Sequence, residues 1–362
     1  MQKTSRFKVF LATLILSFSY SSGVLAKTTD ESSSKKNMQA ERNKSSKSSK
    51  TSSSDKSKKK NVKSPKNPRE VRPTVLPRSS VKKAEPVSPR VSAGTALGLG
   101  KQGDELNLKS NVAVIVDQQN LDIIFDKNSQ IPLPVASITK LLTAMVVLDA
   151  KLPLDEILEI NEQDAAIYKN SRLIKGTTLS RQEALLLALM SSENRAAYTL
   201  GRNYPGGIKV FMAAVNRKTK EIGMKNATFE DPTGLTSKNV ASAEDLAILV
   251  NAAYQYPLIR QFTTTPNYIK EINKRDQQFL NSNRLVRSGD MEVLIQKTGY
   301  ISEAGRCLVM MVLVNNKPYT MVFLDSVGVQ SRFADAIRVK EWIESSERAA
   351  LRKLPNTKLV AN

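Results

Sequence analysis

Apolar positions along the chain change their period twice. Residues 111–117 (Asn-Val-Ala-Val-Ile-Val-Asp) and 121–126 (Leu-Asp-Ile-Ile-Phe-Asp) are short β-branched runs separated by Gln118-Gln119-Asn120, the spacing of a hairpin. Near the other end, 293–298, 307–314 and 319–324 are again short apolar runs, with Asn315-Asn316-Lys317 marking a turn between the last two. Between these groups the period is helical. Leu141, Leu142, Met145 and Leu148 share one face over 137–150, and 208–222 and 333–344 read as further helices. Ser180-Arg-Gln-Glu183 reads as a capping box opening 184–190, and Ser242-Ala-Glu-Asp245 as another before 246–254. Two strands early and three late must share one sheet if neither group is to leave an unpaired edge. The expected architecture is an α/β lobe with an all-helical lobe inserted into it, and the cleft between the lobes is the default site.

Composition divides the chain into expected segments. Residues 1–26 have a basic start (Lys3, Arg6, Lys8), an apolar run over 9–20, and Val24-Leu25-Ala26 as a cleavage site, the pattern of a secretory signal. Residues 27–100 form a Ser/Lys/Pro-rich linker, expected to be disordered because it cannot bury enough apolar surface to offset chain entropy. Residues 104–350 form the folded domain, and 351–362 a short tail. Of the net charge of +21, +13 falls on 27–90, where 19 basic residues face 6 acidic ones. The folded part is only mildly basic, so nucleic acid is not an expected partner, and the tail is expected to make weak contact with anionic envelope polymers. Nothing after Glu344 has an apolar face suited to a membrane surface, so a soluble periplasmic protein is expected. Cys307 is the only cysteine, which excludes an intrachain disulfide and a lipid-modified cysteine at the processing site.

The chain has no histidine, which removes Ser-His-Asp and Cys-His chemistry and imidazole metal sites, and no cofactor is expected. A nucleophile must then be activated by lysine, tyrosine or a carboxylate. Ser137-Ile-Thr-Lys140 places a lysine amine beside a serine hydroxyl at the start of a helix, one turn along the same face. Burial and a second cation nearby would lower that lysine toward a usable base. The pattern alone is common: Ser57-Lys58-Lys59-Lys60 repeats it within the tail. Ser192-Glu193-Asn194 falls in a loop after the 184–190 helix, and Lys297-Thr298-Gly299, followed by Tyr300, ends an expected strand. There, a residue without a side chain leaves the backbone open to an extended peptide that could add as a strand.

The ordered trio SxxK, SxN and KTG resembles the signature of penicillin-recognising serine peptidases and serine β-lactamases. The contexts Ala136-Ser-Ile-Thr-Lys-Leu-Leu-Thr-Ala-Met145, Ser191-Ser-Glu-Asn-Arg-Ala-Ala197, Phe229-Glu-Asp-Pro-Thr-Gly-Leu235 and Gln296-Lys-Thr-Gly-Tyr-Ile-Ser-Glu-Ala-Gly-Arg306 resemble the low-molecular-mass D-alanyl-D-alanine peptidases, nearest their endopeptidases. The likeness runs from about 110 to 345 and leaves out the tail. It implies the β-lactamase/DD-peptidase-like fold, a five-stranded antiparallel sheet flanked by helices plus an all-helical lobe. It also implies Ser137 as nucleophile, Lys140 as general base and Ser192 as proton relay. Asn194, Lys297, Thr298 and Gly299 would bind substrate, and the backbone N–H groups of Ser137 and Tyr300 would form the oxyanion hole. The implied partners are peptidoglycan peptide stems and cross-links, with β-lactams as acylating inhibitors. Other readings are a D-Ala-D-Ala carboxypeptidase, a β-lactamase with Glu230 activating the deacylating water, and a catalytically silent wall-binding sensor.

Overall fold

In the computed structural model, the described residues are 91–101, 103–168 and 170–353. The signal-like segment, the basic tail up to residue 90 and the segment 354–362 lie outside them. The two strand groups do meet. Strands β1 (Ser110–Asp117), β2 (Ile123–Lys127), β3 (Glu292–Ile301), β4 (Gly305–Val314) and β5 (Lys317–Ser326) form one antiparallel sheet in the order β2-β1-β5-β4-β3. The last strand is the middle one: Val114 pairs with Val322, and Val309 pairs with the same residue from the other side. The β4–β5 turn holds Asn315 and Asn316 at φ 50° and 62°, a left-handed pair that asparagine tolerates and a two-residue hairpin requires.

The apolar runs in these strands are continuous because both faces of the sheet are covered. Val112, Val114 and Val116 point into the core shared with the helical lobe. Ala113, Ile115 and Phe125 point the other way, against Phe333, Ala336, Val339 and Ile343. Those four belong to the C-terminal helix Ser331–Lys353. This helix extends beyond the expected end at 344, because Glu347 accepts hydrogen bonds from Asn315, Lys317 and Tyr319 at the sheet margin.

The helical lobe carries α1 (Lys140–Asp149), α2 (Arg181–Met190), α3 (Asn194–Arg202), α4 (Gly207–Glu221) and α5 (Ala243–Tyr254). The Ser180 capping box is complete: the hydroxyl accepts from Glu183 N–H and the Glu183 carboxylate accepts from Ser180 N–H. At Ser242 only the hydroxyl half of the box forms. Asp245 turns instead to accept the N–H groups of Lys225 and Asn226, at 2.7 Å each, and so fixes the loop before the Phe229–Leu235 stretch.

Two features depart from expectation. The nominally helical middle contains a hairpin, Asn267–Ile272 with Arg275–Leu280, reversed through Asn273 and Lys274 at positive φ. Residues 93–100, within the expected linker, are also structured. Ala93–Ala96 is a short helix whose Ala93 N–H donates to Glu303 O at 2.8 Å. Gly94 packs so closely that a Cβ there would lie 2.3 Å from Asp325 Oδ2. The small residues Ala-Gly-Thr-Ala permit that approach, and the Lys/Ser/Pro-rich stretch before them masks the change in composition.

Candidate active site

Ser137 does not lie in the α-helix. It sits in a 3-10 turn, Ala136–Thr139, that feeds directly into α1. Residues i and i+3 eclipse in 3-10 geometry, which brings the Ser137 and Lys140 side chains together more closely than an α-turn would. The turn is tightly held. Thr139 Oγ1 donates to Ala136 O, Asn239 Nδ2 donates to Thr139 Oγ1, and Val135 N–H donates to Asn239 O. Ala136 takes φ 49°, a left-handed conformation that a residue with a Cβ adopts only when its surroundings impose it.

Lys140 is fully buried, and its Nζ reaches three oxygens at 2.7 Å: Ser137 Oγ, Asn194 Oδ1 and the backbone carbonyl of Thr233. Burial pulls its pKa down to about 7, against the opposing pull of Asp231 and then Glu193. The last two of the three partners can only accept. A neutral amine therefore gives its two hydrogens to Asn194 and Thr233 and turns its lone pair toward the Ser137 hydroxyl, as a base must.

A second lysine mirrors the first. Lys297 is also fully buried, and its Nζ donates to Ser192 Oγ at 2.9 Å and Thr298 O at 2.8 Å. Desolvation, then the neighbouring charges of Lys140 and Arg332, hold it well below an ordinary lysine. Ser192 occupies the expected loop, at φ 64°, whereas Asn194 is already the first residue of α3. The Lys-Thr-Gly tripeptide is not a strand terminus: it lies inside β3, at the edge of the sheet, with Thr298 Oγ1 donating to Ser282 Oγ at 2.7 Å. A Cβ on Gly299 would stand 2.9 Å from Val135 O and 3.3 Å from Ser137 N, so the missing side chain lets the strand lie against the nucleophile turn. Tyr300 is exposed, with the Arg306 guanidinium 4.4 Å over its ring.

Several contributors carry no signature in their residue type. Asp231 accepts from Thr233 N–H and Oγ1, Gly234 N–H and Thr236 N–H, folding the turn that aims the Thr233 carbonyl at Lys140. A Cβ on Gly234 would lie 1.9 Å from Ala136 O, and its φ of +82° excludes ordinary side chains besides. Arg332 is buried, stacks 4.5 Å over Phe333 and leaves Nε and Nη1 without an acceptor. Its burial and then Arg306 lower it to about 10. Glu230, the candidate for a water-activating glutamate, instead pairs with Lys238 at 3.2 Å on an exposed flank, as a turn residue would. Cys307 is buried, and desolvation pushes its thiol up to about 12, so packing describes it better than reactivity.

Comparisons with known proteins identify the family. The family model described as D-alanyl-D-alanine carboxypeptidase, peptidase family S11, matches residues 100–328. The chain belongs to this family. A D-alanyl-D-alanine endopeptidase of Pseudomonas aeruginosa is 42% identical over 276 residues, covering 75% of this chain and 87% of the relative. One of Escherichia coli is 42% identical over 268 residues, covering 73% and 86%. Among solved structures, the Streptomyces K15 DD-transpeptidase aligns with a TM-score of 0.61 at 22% identity, over 67% of this chain and 98% of its own. Penicillin-binding protein D2 of Listeria monocytogenes, in an ampicillin-bound form, aligns at 0.58 and 26%, over 66% and 98%. The expected DD-peptidase-like fold is thus the observed one.

Proposed function

We propose that this family member is a serine DD-endopeptidase that hydrolyses D-alanyl cross-links of peptidoglycan through an acyl-enzyme on Ser137. The observation that carries the reading is the 2.7 Å contact from a buried, proton-poor Lys140 to Ser137 Oγ. Ser137 Oγ attacks the D-alanyl carbonyl while Lys140 takes its proton, and the backbone N–H groups of Ser137 and Tyr300 face the developing oxyanion. The C–N bond breaks, and the departing amine takes a proton from Ser192, which is replenished from Lys140. Because Lys297 donates into Ser192 Oγ, the Ser192 hydrogen is free to point into the cleft. Water then hydrolyses the ester. Asn194 and the β3 backbone at Gly299 hold the substrate chain. A substrate carboxylate beside Lys297 favours the protonated amine, so that Lys297, Thr298 and the unpaired Arg332 guanidinium hold it together. β-Lactams acylate Ser137 because their strained amide enters the same path.

The same cations favour a second activity. A free terminal carboxylate would suit them as well as a cross-linked one, which gives D-Ala-D-Ala carboxypeptidase trimming a physical basis. Digestion of purified sacculi separates the two by mass: cleaved dimers mark the endopeptidase, released D-alanine the carboxypeptidase. Recovery of every muropeptide intact, despite labelling by fluorescent penicillin, would leave only the sensor. Sustained turnover of a chromogenic cephalosporin, in place of a stoichiometric burst, would make the protein a β-lactamase. Residues 1–26 are proposed to direct export to the periplasm, where the basic tail contacts anionic wall polymers. Sacculus binding that weakens steeply with salt, and is lost on deleting 27–90, tests that contact.

A further inference from the structure

Between Ser192, which receives Lys297, and Asn194, which receives Lys140, stands Glu193. It precedes α3 yet makes no capping bond to that helix. Its Oε2 instead accepts from Ser171 Oγ at 2.7 Å. Two residues on, Arg195 spends its whole fork on the same segment, Nε and Nη2 on Tyr168 O and Nη1 on Leu173 O. Arg172, between those anchor points, donates to Gln278 O and stacks 5.1 Å over Phe279 of the 267–280 hairpin. One loop is therefore tied to the Ser192–Asn194 turn by a carboxylate and to α3 by a guanidinium.

We propose that Glu193 is a positioning residue for the hydrolysis: it fastens this loop to the Ser192–Asn194 turn and supplies the adjustable negative charge in the field where Lys140 works. The inference rests on Lys140 acting as the base. The charged groups around Lys140 are Asp231, Glu193 and Lys297. Asp231 is committed to four donors of its own turn, so removing it would collapse that turn. Glu193 has one side-chain donor, and an amide can satisfy it. Around Glu193 stand Arg172, Lys140 and Arg195 as cations; burial nonetheless raises its carboxyl above the ordinary range. While ionised, it holds Lys140 up against desolvation. Its loss lets the lysine become neutral at lower pH.

The test follows the rate of acylation by a fluorescent penicillin between pH 5 and 9 in the parent, Glu193→Gln and Ser171→Ala. Glu193→Gln keeps an acceptor for Ser171 and removes the charge. Its acid limb should move down by about half a pH unit or more. Ser171→Ala removes the tie and keeps the charge, so its limb should stay with the parent. Should the amide variant fail to fold, Glu193→Asp, which draws the same charge back by one methylene, should give a smaller downward shift. Superimposed limbs for the parent and the Glu193 variant would overturn the proposal, as would an equal shift in Ser171→Ala. A parent that is not acylated at all would instead overturn the proposed function.

Discussion

At the scale of single residues, the proposed chemistry depends on two lysines that burial keeps short of protons. Lys140 at about 7 gives a direct expectation: acylation by β-lactams should rise with pH through neutrality and then level off. Lys140→Met should lower the acylation rate about 100-fold or more without abolishing penicillin recognition. A pH-independent rate in the parent would refute the role of the amine as base. Arg332 is expected to act through binding. Arg332→Gln should weaken processing of peptides ending in a free carboxylate by about 10-fold or more, and affect their methyl esters far less. The two lysines were legible in the sequence because serine or threonine at fixed offsets announces them. Arg332 was not, since its value comes from sitting buried without an acceptor, which no local pattern encodes. The Thr233 carbonyl was equally hidden, because any residue type supplies one.

At the scale of elements, local signals held where a few neighbours decide the outcome. The Ser180 box and the Asn315-Asn316 turn form as read. The second box failed by half, because Asp245 found backbone N–H groups from a distant loop, a tertiary choice that spacing cannot show. The 3-10 turn at Ser137 was also invisible: it is held by hydrogen bonds with Asn239, distant in sequence, and packs closely against Gly234 and Gly299. Gly234→Ala would drive a methyl into the Ala136 carbonyl and should cut acylation at least about 10-fold, with strain of about 1–2 kcal/mol from the positive φ alone. Ser180→Ala is the contrasting variant. Loss of that cap should cost about 1 kcal/mol, or roughly 2–4 °C in a thermal melt, and leave acylation unchanged.

For the whole molecule, the buried amines set how stability responds to pH. Unfolded, Lys140 regains its ordinary value of 10.5; folded, it releases its proton near 7. Within that window the unfolded chain binds the extra proton, so stability rises as pH rises, and Lys297 acts in the same direction. Above about pH 9 the Cys307 thiol opposes this, since it ionises only once released from the core. Melting temperature should therefore increase from pH 7 to 9, and the increase should shrink in Lys140→Met. A flat profile in the parent would show that neither lysine is depressed. The layered architecture was legible because strands at both ends of the domain cannot remain unpaired. The short helix Ala93–Ala96 was not, since four small residues carry no periodic signal.

The order of strands in the sheet also bears on synthesis. The strand that joins the two early strands to the two late ones is the last to be made, so a chain interrupted before Lys317 leaves two hairpins with nothing to bridge them. Without that bridge, the strand that carries Lys297 packs against the Ser137 turn with no continuous sheet behind it. A ribosome that stalls, or a message cut short, would yield a fragment unable to cut its maker's wall, and the capacity for damage would arrive only with the finished product.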